Sequence, residues 1–169
     1  LLLKSMKKLL FFLLFNLSFF SFSQESLSKL LKEFNTESIP YITVTELATP
    51  QNQAIFLDAR EENEFKVSHL KNAIHVGYNN FNLEAATKNL KDKNALIIVY
   101  CSLGIRSEDI AEKLDSVGYT NVKNLYGGIF EWKNSDFKVY NSKNIETDNI
   151  HAFDEEWGKW LKKGKKVYD

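Results

Sequence analysis

Ala95-Leu96-Ile97-Ile98-Val99-Tyr100-Cys101-Ser102-Leu103-Gly104-Ile105-Arg106-Ser107 is the stretch that decides the fold. Its first six residues form the strongest strand signal in the chain. A strand apolar on both faces belongs at the centre of a parallel sheet covered on both sides. Ile110, Ala111, Leu114 and Val117 then mark one face of a helix, stopped by Gly118. The chain's single cysteine, Cys101, therefore falls between a central strand and the N-terminal end of a helix. Backbone N–H groups converge in such a loop, and the helix dipole adds positive potential. Gly104 lets the loop turn without a Cβ penalty. Arg106 adds a full positive charge and a planar donor fork. These features favour thiolate over thiol at Cys101. The same cradle suits a small oxyanion, so a nucleophile and an anion pocket coincide. Taken alone, a cysteine after an apolar strand is most often a small buried hydrophobe. The Cys-x-x-Gly-x-Arg-Ser setting reverses that reading.

Outward from this stretch the chain alternates strand and helix signals. Ile42-Thr43-Val44, Ala54 to Leu57, Ala73 to Val76 and Val122 to Leu125 read as strands. Thr45 to Leu47, Glu61 to Phe65, and the face of Leu83, Ala86 and Leu90 read as helical. Strands separated by helical patterns imply βαβ units and a mostly parallel sheet. In such folds ligands bind beyond the carboxyl ends of the strands, where Cys101 sits.

Three stretches, in order, resemble the single-domain rhodanese family of sulfurtransferases. Leu57-Asp58-Ala59-Arg60 with Glu64-Phe65, His69-Leu70 and Asn72-Ala73-Ile74 resembles its N-terminal signature. Ser68 and Asn72 stand where that family more often has Gly. Cys101 to Ser107 resembles its active-site loop. Gly118 to Val122, then Leu125-Tyr126-Gly127-Gly128 and Trp132, resembles its C-terminal signature. The resemblance covers residues 40–141. It implies an α/β fold with a five-stranded parallel sheet flanked by helices on both faces.

The resemblance also implies chemistry. Cys101 would take the outer sulfur of thiosulfate or a similar donor as a persulfide. It would then pass that sulfur to cyanide, a thiol or a partner protein. Amides from Ser102, Leu103, Gly104, Ile105 and Arg106 would bind the donor, with Arg106 on its sulfonate end. Ser107, Asp58 and Arg60 would support the pocket, the last two chiefly through structural bonds. A sulfur carrier or binding module without turnover is the alternative. Phosphatase activity is disfavoured, since related phosphatases place five residues between Cys and Arg and only Ser102 to Ile105 intervene here.

Composition bounds the rest. Lys plus Arg is 22 and Asp plus Glu is 22, so no basic excess points to nucleic acid. One cysteine excludes an internal disulfide, a dithiol couple and any zinc site with several thiolates. His69, His75 and His151 have no compact ligand spacing, so neither metal nor cofactor is expected. Nothing in the sequence sets an oligomeric state.

Residues 1–23 read as a secretory signal: Met6-Lys7-Lys8, an apolar run from Leu9 to Phe20, then Ser21 and Ser23 before Gln24. Residues 1–5 read as an upstream extension of the reading frame. Removing residues 1–23 takes away three lysines and no acid, leaving three more acids than bases. The expectation is an exported protein, periplasmic in a bacterium with two membranes and without stable membrane insertion. A retained N-terminal anchor is the alternative. A lone thiol in an oxidising compartment is unusual.

Two segments flank the core. In residues 24–39, Leu27, Leu30, Leu31 and Phe34 predict a short amphipathic helix. In residues 142–169, Phe153, Trp157, Trp160 and Leu161 stand at i, i+4, i+7 and i+8, which predicts an amphipathic helical tail. Asp154 to Glu156 would open that helix and Lys159, Lys162 and Lys163 would close it. Docking on the domain is favoured over contact with a partner, because exposed Trp rings would leave a large apolar patch.

Overall fold

A computed structural model describes residues 27–48 and 54–169. The signal segment read at 1–23 lies outside the described residues. The chain divides into two compact units, the first ending at Thr36 and the second spanning Glu37–Asp169. In the first, residues 27–34 form helix α1 with Leu27 and Leu31 buried. Phe34, the last position of the predicted stripe, is exposed.

The second unit opens with β1 (Tyr41–Ile42), α2 (Val44–Leu47), β2 (Ile55–Asp58), α3 (Glu62–Val67) and β3 (Ile74–His75). Next come α4 (Leu83–Thr87), β4 (Ile97–Tyr100), α5 (Arg106–Ser116), β5 (Val122–Leu125) and α6 (Gly128–Asn134). The strands from β1 to β5 build one sheet in the order β1-β5-β4-β2-β3, with every pairing parallel. The register sets Leu57 beside Val99 and Val99 beside Asn124, so β2, β4 and β5 end at one edge.

The apolar run predicted for β4 explains its place. All four of its residues are fully buried. Ile97 and Val99 share one face, as the two-residue strand period requires. They pack in a cluster with Leu57 from β2, Ile110, Ala111 and Leu114 from α5, and Ile39. Each of the Leu, Ile and Val side chains among them contributes roughly 1.5–3 kcal/mol over leaving it in water. Val117, the fourth position of the predicted α5 face, lies past the helix end and is exposed.

Local chemistry sets several boundaries. Thr43 ends the first strand early. Its hydroxyl accepts the Glu46 N–H while Glu46 accepts the Thr43 N–H, a capping box that starts α2 at Val44. Asn72, where the resembling family more often has Gly, has φ +59. Asn is among the few residues that tolerate this left-handed conformation. Ser68 sits in extended backbone, φ −168, where no glycine is needed.

The C-terminal segment is not the helix predicted for it. Just before it, β6 (Val139–Tyr140) pairs antiparallel with its first strand, β7 (Glu146–Thr147), and the segment goes on through β8 (Asn149–His151), α7 (Glu155–Gly158) and β9 (Lys165–Val167). β8 and β9 pair in parallel. Only one helical turn survives of the predicted stripe. Phe153 has φ +67, which no right-handed helix contains, so the helix starts at its Asp154 cap. After Gly158 the chain tightens into three-residue turns, Trp160 N–H to Trp157 O and Leu161 N–H to Gly158 O, and then leaves for β9. The segment is docked within the second unit: Asn134 Nδ2 donates to Trp160 O at 3.0 Å, and Lys133 pairs with Asp148. Among the described residues no helix is long and apolar enough to cross a membrane.

Candidate active site

Cys101 follows β4 directly and is 2% exposed. The chain then turns through Ser102 to Ile105 and enters α5 at Arg106. The Gly104 N–H donates to Cys101 Sγ at 3.1 Å, and Ser107 Oγ lies 3.5 Å from it. Burial pushes the thiol pKa up. The Arg106 charge, the Ser107 hydroxyl and amide, and the Gly104 amide outweigh burial and hold it below the ordinary thiol value.

Glycines and one asparagine hold this loop in shape. Gly104 has φ +104, and a Cβ there would stand 3.1 Å from Leu125 O. Gly128 has φ +54, and its Cβ would fall 2.3 Å from Cys101 O. The bare Gly127-Gly128 turn thus lets α6 reach the loop, where Ile129 N–H donates to Cys101 O at 2.9 Å and Phe130 N–H to Ser102 O at 3.2 Å. Asn124 of β5 donates from Nδ2 to Gly104 O at 2.8 Å and accepts from Ser107 Oγ at 2.7 Å. Nothing local separates it from the neighbouring polar Lys123 in the strand Val122 to Leu125, and the reading from sequence missed it.

Arg106 does not present the open fork expected of it. NH1 and NH2 donate to Glu64 Oε2 and Oε1, both at 2.8 Å. NH2 also donates to Ser102 Oγ at 3.2 Å. Glu64 comes from α3, is 1% exposed, and also accepts the Glu61 N–H at 2.9 Å. Burial pushes its carboxyl up, but Arg106 more than offsets this and keeps it below the usual carboxylate range. The paired hydrogen bonds assigned to a sulfonate are therefore made to Glu64. Arg106 acts on Cys101 through its charge and by staying fixed. Glu64 stands within the first of the three resembling stretches, but nothing local marks its partner, 42 positions away.

Asp58 and Arg60 form a second, separate pair. Arg60 Nε and NH2 donate to the two Asp58 oxygens at 2.9 and 2.6 Å, and NH2 also reaches Ser68 O at 2.6 Å. Both side chains are wholly buried. His75 Nε2 meets Arg60 O at 2.8 Å, and His69 Nδ1 meets Phe65 O at 3.1 Å. Neither Asp58 nor Arg60 lines the cavity at Cys101. Among the described residues no group of three or more His, Cys, Asp or Glu is placed to hold a metal ion.

That cavity has a volume of about 160 Å³ and is lined by Cys101, Ser102, Leu103, Ile105, Arg106, Phe153 and Trp157. Phe153 and Trp157 come from the C-terminal segment. The Phe153 ring lies under the Arg106 guanidinium, 5.2 Å from ring centroid to Cζ. A buried, ionisable sulfur thus faces a small cavity, flanked by amide donors and the Arg106–Glu64 ion pair.

Comparison with known proteins places this arrangement. Residues 43–135 match the Rhodanese-like domain family, more than half of the chain. The chain belongs to that family. The BH2092 protein of Bacillus halodurans has a structure 26% identical in sequence, with a TM-score of 0.54, covering 70% of this chain and 86% of its own. The thiosulfate sulfurtransferase of Pseudomonas aeruginosa is 17% identical with a TM-score of 0.55, covering 82% of this chain and 26% of its own, a likeness of fold alone. Curated relatives include proteins named tRNA uridine(34) hydroxylase. That of Hamiltonella defensa is 40% identical over 47% of this chain and 23% of its own. That of Listeria welshimeri is 33% identical over 58% and 33%. The chain thus aligns with only a quarter to a third of those relatives' length. The Cys101 loop and the Gly127-Gly128 turn lie inside the family match, whereas Phe153 and Trp157 lie outside it.

Proposed function

We propose that this protein is a sulfurtransferase whose Cys101 carries sulfane sulfur as a persulfide. The observation that carries the reading is Cys101 Sγ itself. It accepts the Gly104 N–H at 3.1 Å, has its pKa lowered chiefly by Arg106, and opens on a cavity of about 160 Å³. The thiolate attacks the outer sulfur of thiosulfate or a related donor. A bond forms from Sγ to that sulfur, the donor's S–S bond breaks, and sulfite leaves with the electron pair. A nucleophile then attacks the outer persulfide sulfur, and the Cys101 thiolate leaves. With cyanide the product is thiocyanate. The two steps form a ping-pong cycle through a covalent intermediate.

The loop supports each step. The Gly104 and Ser107 amides and the Arg106 charge stabilise a sulfur anion, which persists on the terminal persulfide sulfur. Four residues between Cys101 and Arg106 leave a tight cradle, which disfavours a phosphate monoester. The name carried by the curated relatives is a further lead, but the absence of a basic excess gives no support for a tRNA surface on this chain. Export through residues 1–23 is part of the same reading and rests on their charge and hydropathy pattern alone. The mass of the protein recovered from cells expressing the full chain tests it, with loss of residues 1–23 expected and a retained leader contradicting it.

Intact mass after incubation with thiosulfate tests the chemistry. A gain of about 32 Da, absent in Cys101→Ser, is the expected sign of a covalent sulfur intermediate. Release of thiocyanate on adding cyanide supports the turning-over enzyme. A persulfide that survives cyanide supports the carrier. No mass gain with any sulfane donor would contradict both.

A further inference from the structure

The cavity at Cys101 is poorly built for thiosulfate. A small dianion leaving water needs matched donors or charge. Here both terminal nitrogens of Arg106 already donate to Glu64. Besides Cys101 and Ser102, the other walls are Leu103, Ile105, Phe153 and Trp157, so a ligand meets mainly apolar surface. An apolar cavity of about 150 Å³ is large enough to hold a benzene ring. This one measures about 160 Å³.

Two of those walls are held in place by a chain of bonds rather than by chance contact. Phe153 has φ +67, and its N–H donates to His151 Nδ1 at 3.1 Å. That bond makes Nδ1 the acceptor, so Nε2 carries the proton toward Asp169 Oδ1, 3.1 Å away. Asn63 Nδ2 donates to the same Asp169 oxygen at 2.7 Å, and Asn63 immediately precedes Glu64 on α3. The Asp154 carboxylate accepts the Trp157 N–H at 2.8 Å and fixes the turn that aims Trp157. The helix that steadies Arg106 thus also anchors the segment that brings aromatic rings to the cavity.

We propose that Phe153 and Trp157 are specificity residues that make the cavity select a sulfane-sulfur donor bearing an apolar organic group, a thiosulfonate or hydropersulfide, over inorganic thiosulfate. This rests on the sulfur-transfer reading above. With a thiosulfonate, Cys101 Sγ bonds to the terminal sulfur, the S–S bond of the donor breaks, and the sulfinate leaves with the pair. No external oxidant or reductant is needed. The organic group stays against Phe153, Trp157, Leu103 and Ile105 during the attack.

Benzenethiosulfonate, methanethiosulfonate and thiosulfate deliver the same sulfur and differ in the rest of the donor, so the kcat/KM ratio of the phenyl donor to each of the other two reads the wall. A single buried methylene is worth about tenfold or more in such a pocket, so the phenyl donor is expected to win by at least about tenfold. Phe153→Ala and Trp157→Ala should each cut both ratios to below about threefold, and Phe153→Leu, which keeps an apolar wall, should retain most of each. Phe153 is 48% exposed, so its truncation leaves the core alone. General loss of structure would lower all three donors together and leave the ratios as they were. Either wild-type ratio near one, or ratios unmoved in both alanine variants, overturns the proposal while persulfide formation still stands. No persulfide from any of the three donors overturns the sulfur-transfer reading and this proposal with it.

Discussion

Two arginine–carboxylate pairs stand near the same edge of the sheet, and they do different things. Asp58–Arg60 is sealed, with neither side chain exposed. Glu64–Arg106 is nearly as tight, but Arg106 keeps 18% of its side chain exposed and lines the cavity beside Cys101. The bond lengths are alike, from 2.6 to 2.9 Å. The surroundings separate them. Arg60 spends its remaining contacts on Ser68 O and the Tyr100 ring, which tie loop to strand. Arg106 faces a sulfur that can ionise and a ring that comes from outside the family match. An ion pair becomes part of a site when one partner keeps a face toward a reacting group.

Breaking the sealed pair should have the largest effect. Arg60→Ala leaves Asp58 buried with no cation, which costs on the order of 3–5 kcal/mol. Urea unfolding should show it, and a loss below about 1 kcal/mol would mean the pair does not hold the fold together. Gly128→Ala comes next. Its Cβ would meet Cys101 O and Ser102 backbone atoms at a positive φ, so roughly 1–3 kcal/mol should be lost. Sulfur transfer should fall with it, because the loop must move.

Opening the other pair should change chemistry more than stability. Arg106→Lys keeps the charge but cannot make both bonds to Glu64. A loss of about tenfold in kcat/KM, near 1.4 kcal/mol, is expected, with a rise in the Cys101 pKa. Glu64→Gln should show the smallest effect, about 1 kcal/mol in stability at neutral pH. Its sign follows from linkage. The Glu64 carboxyl is depressed in the folded protein, so its stabilisation is present above the unfolded value of about 4.3 and is lost as pH falls through the folded value. The gap between wild type and Glu64→Gln should therefore shrink on acidification. A gap that stays constant below pH 4.3 would contradict that assignment.

These contrasts also show what the sequence exposes and what it hides. The β4 run, the place of Cys101 between strand and helix, and the glycines of the last signature are local patterns, and the structure assembles them as the residues suggest, whereas the Arg106 fork is taken by Glu64. Glu64 and Asn124 are invisible to such reading, because each matters through a partner distant in sequence. The C-terminal stripe misleads for another reason. Spacing of Phe153, Trp157, Trp160 and Leu161 fits a helix, but β8 pairs with β9 and forces Phe153 into a left-handed turn. Tertiary pairing overrides local periodicity there. The result divides the aromatic stripe, sending Leu161 into the interior while Phe153 and Trp157 wall the cavity.

Ionisation of Cys101 is what the chemistry of this site depends on most. The rate of carbamidomethylation of Cys101 by iodoacetamide, followed across pH, measures it directly, with Arg106→Lys as the paired variant. The expected midpoint lies below the ordinary thiol value of about 8.5 in the wild type and is displaced upward in the variant. A midpoint at or above about 8.5 in the wild type would contradict it.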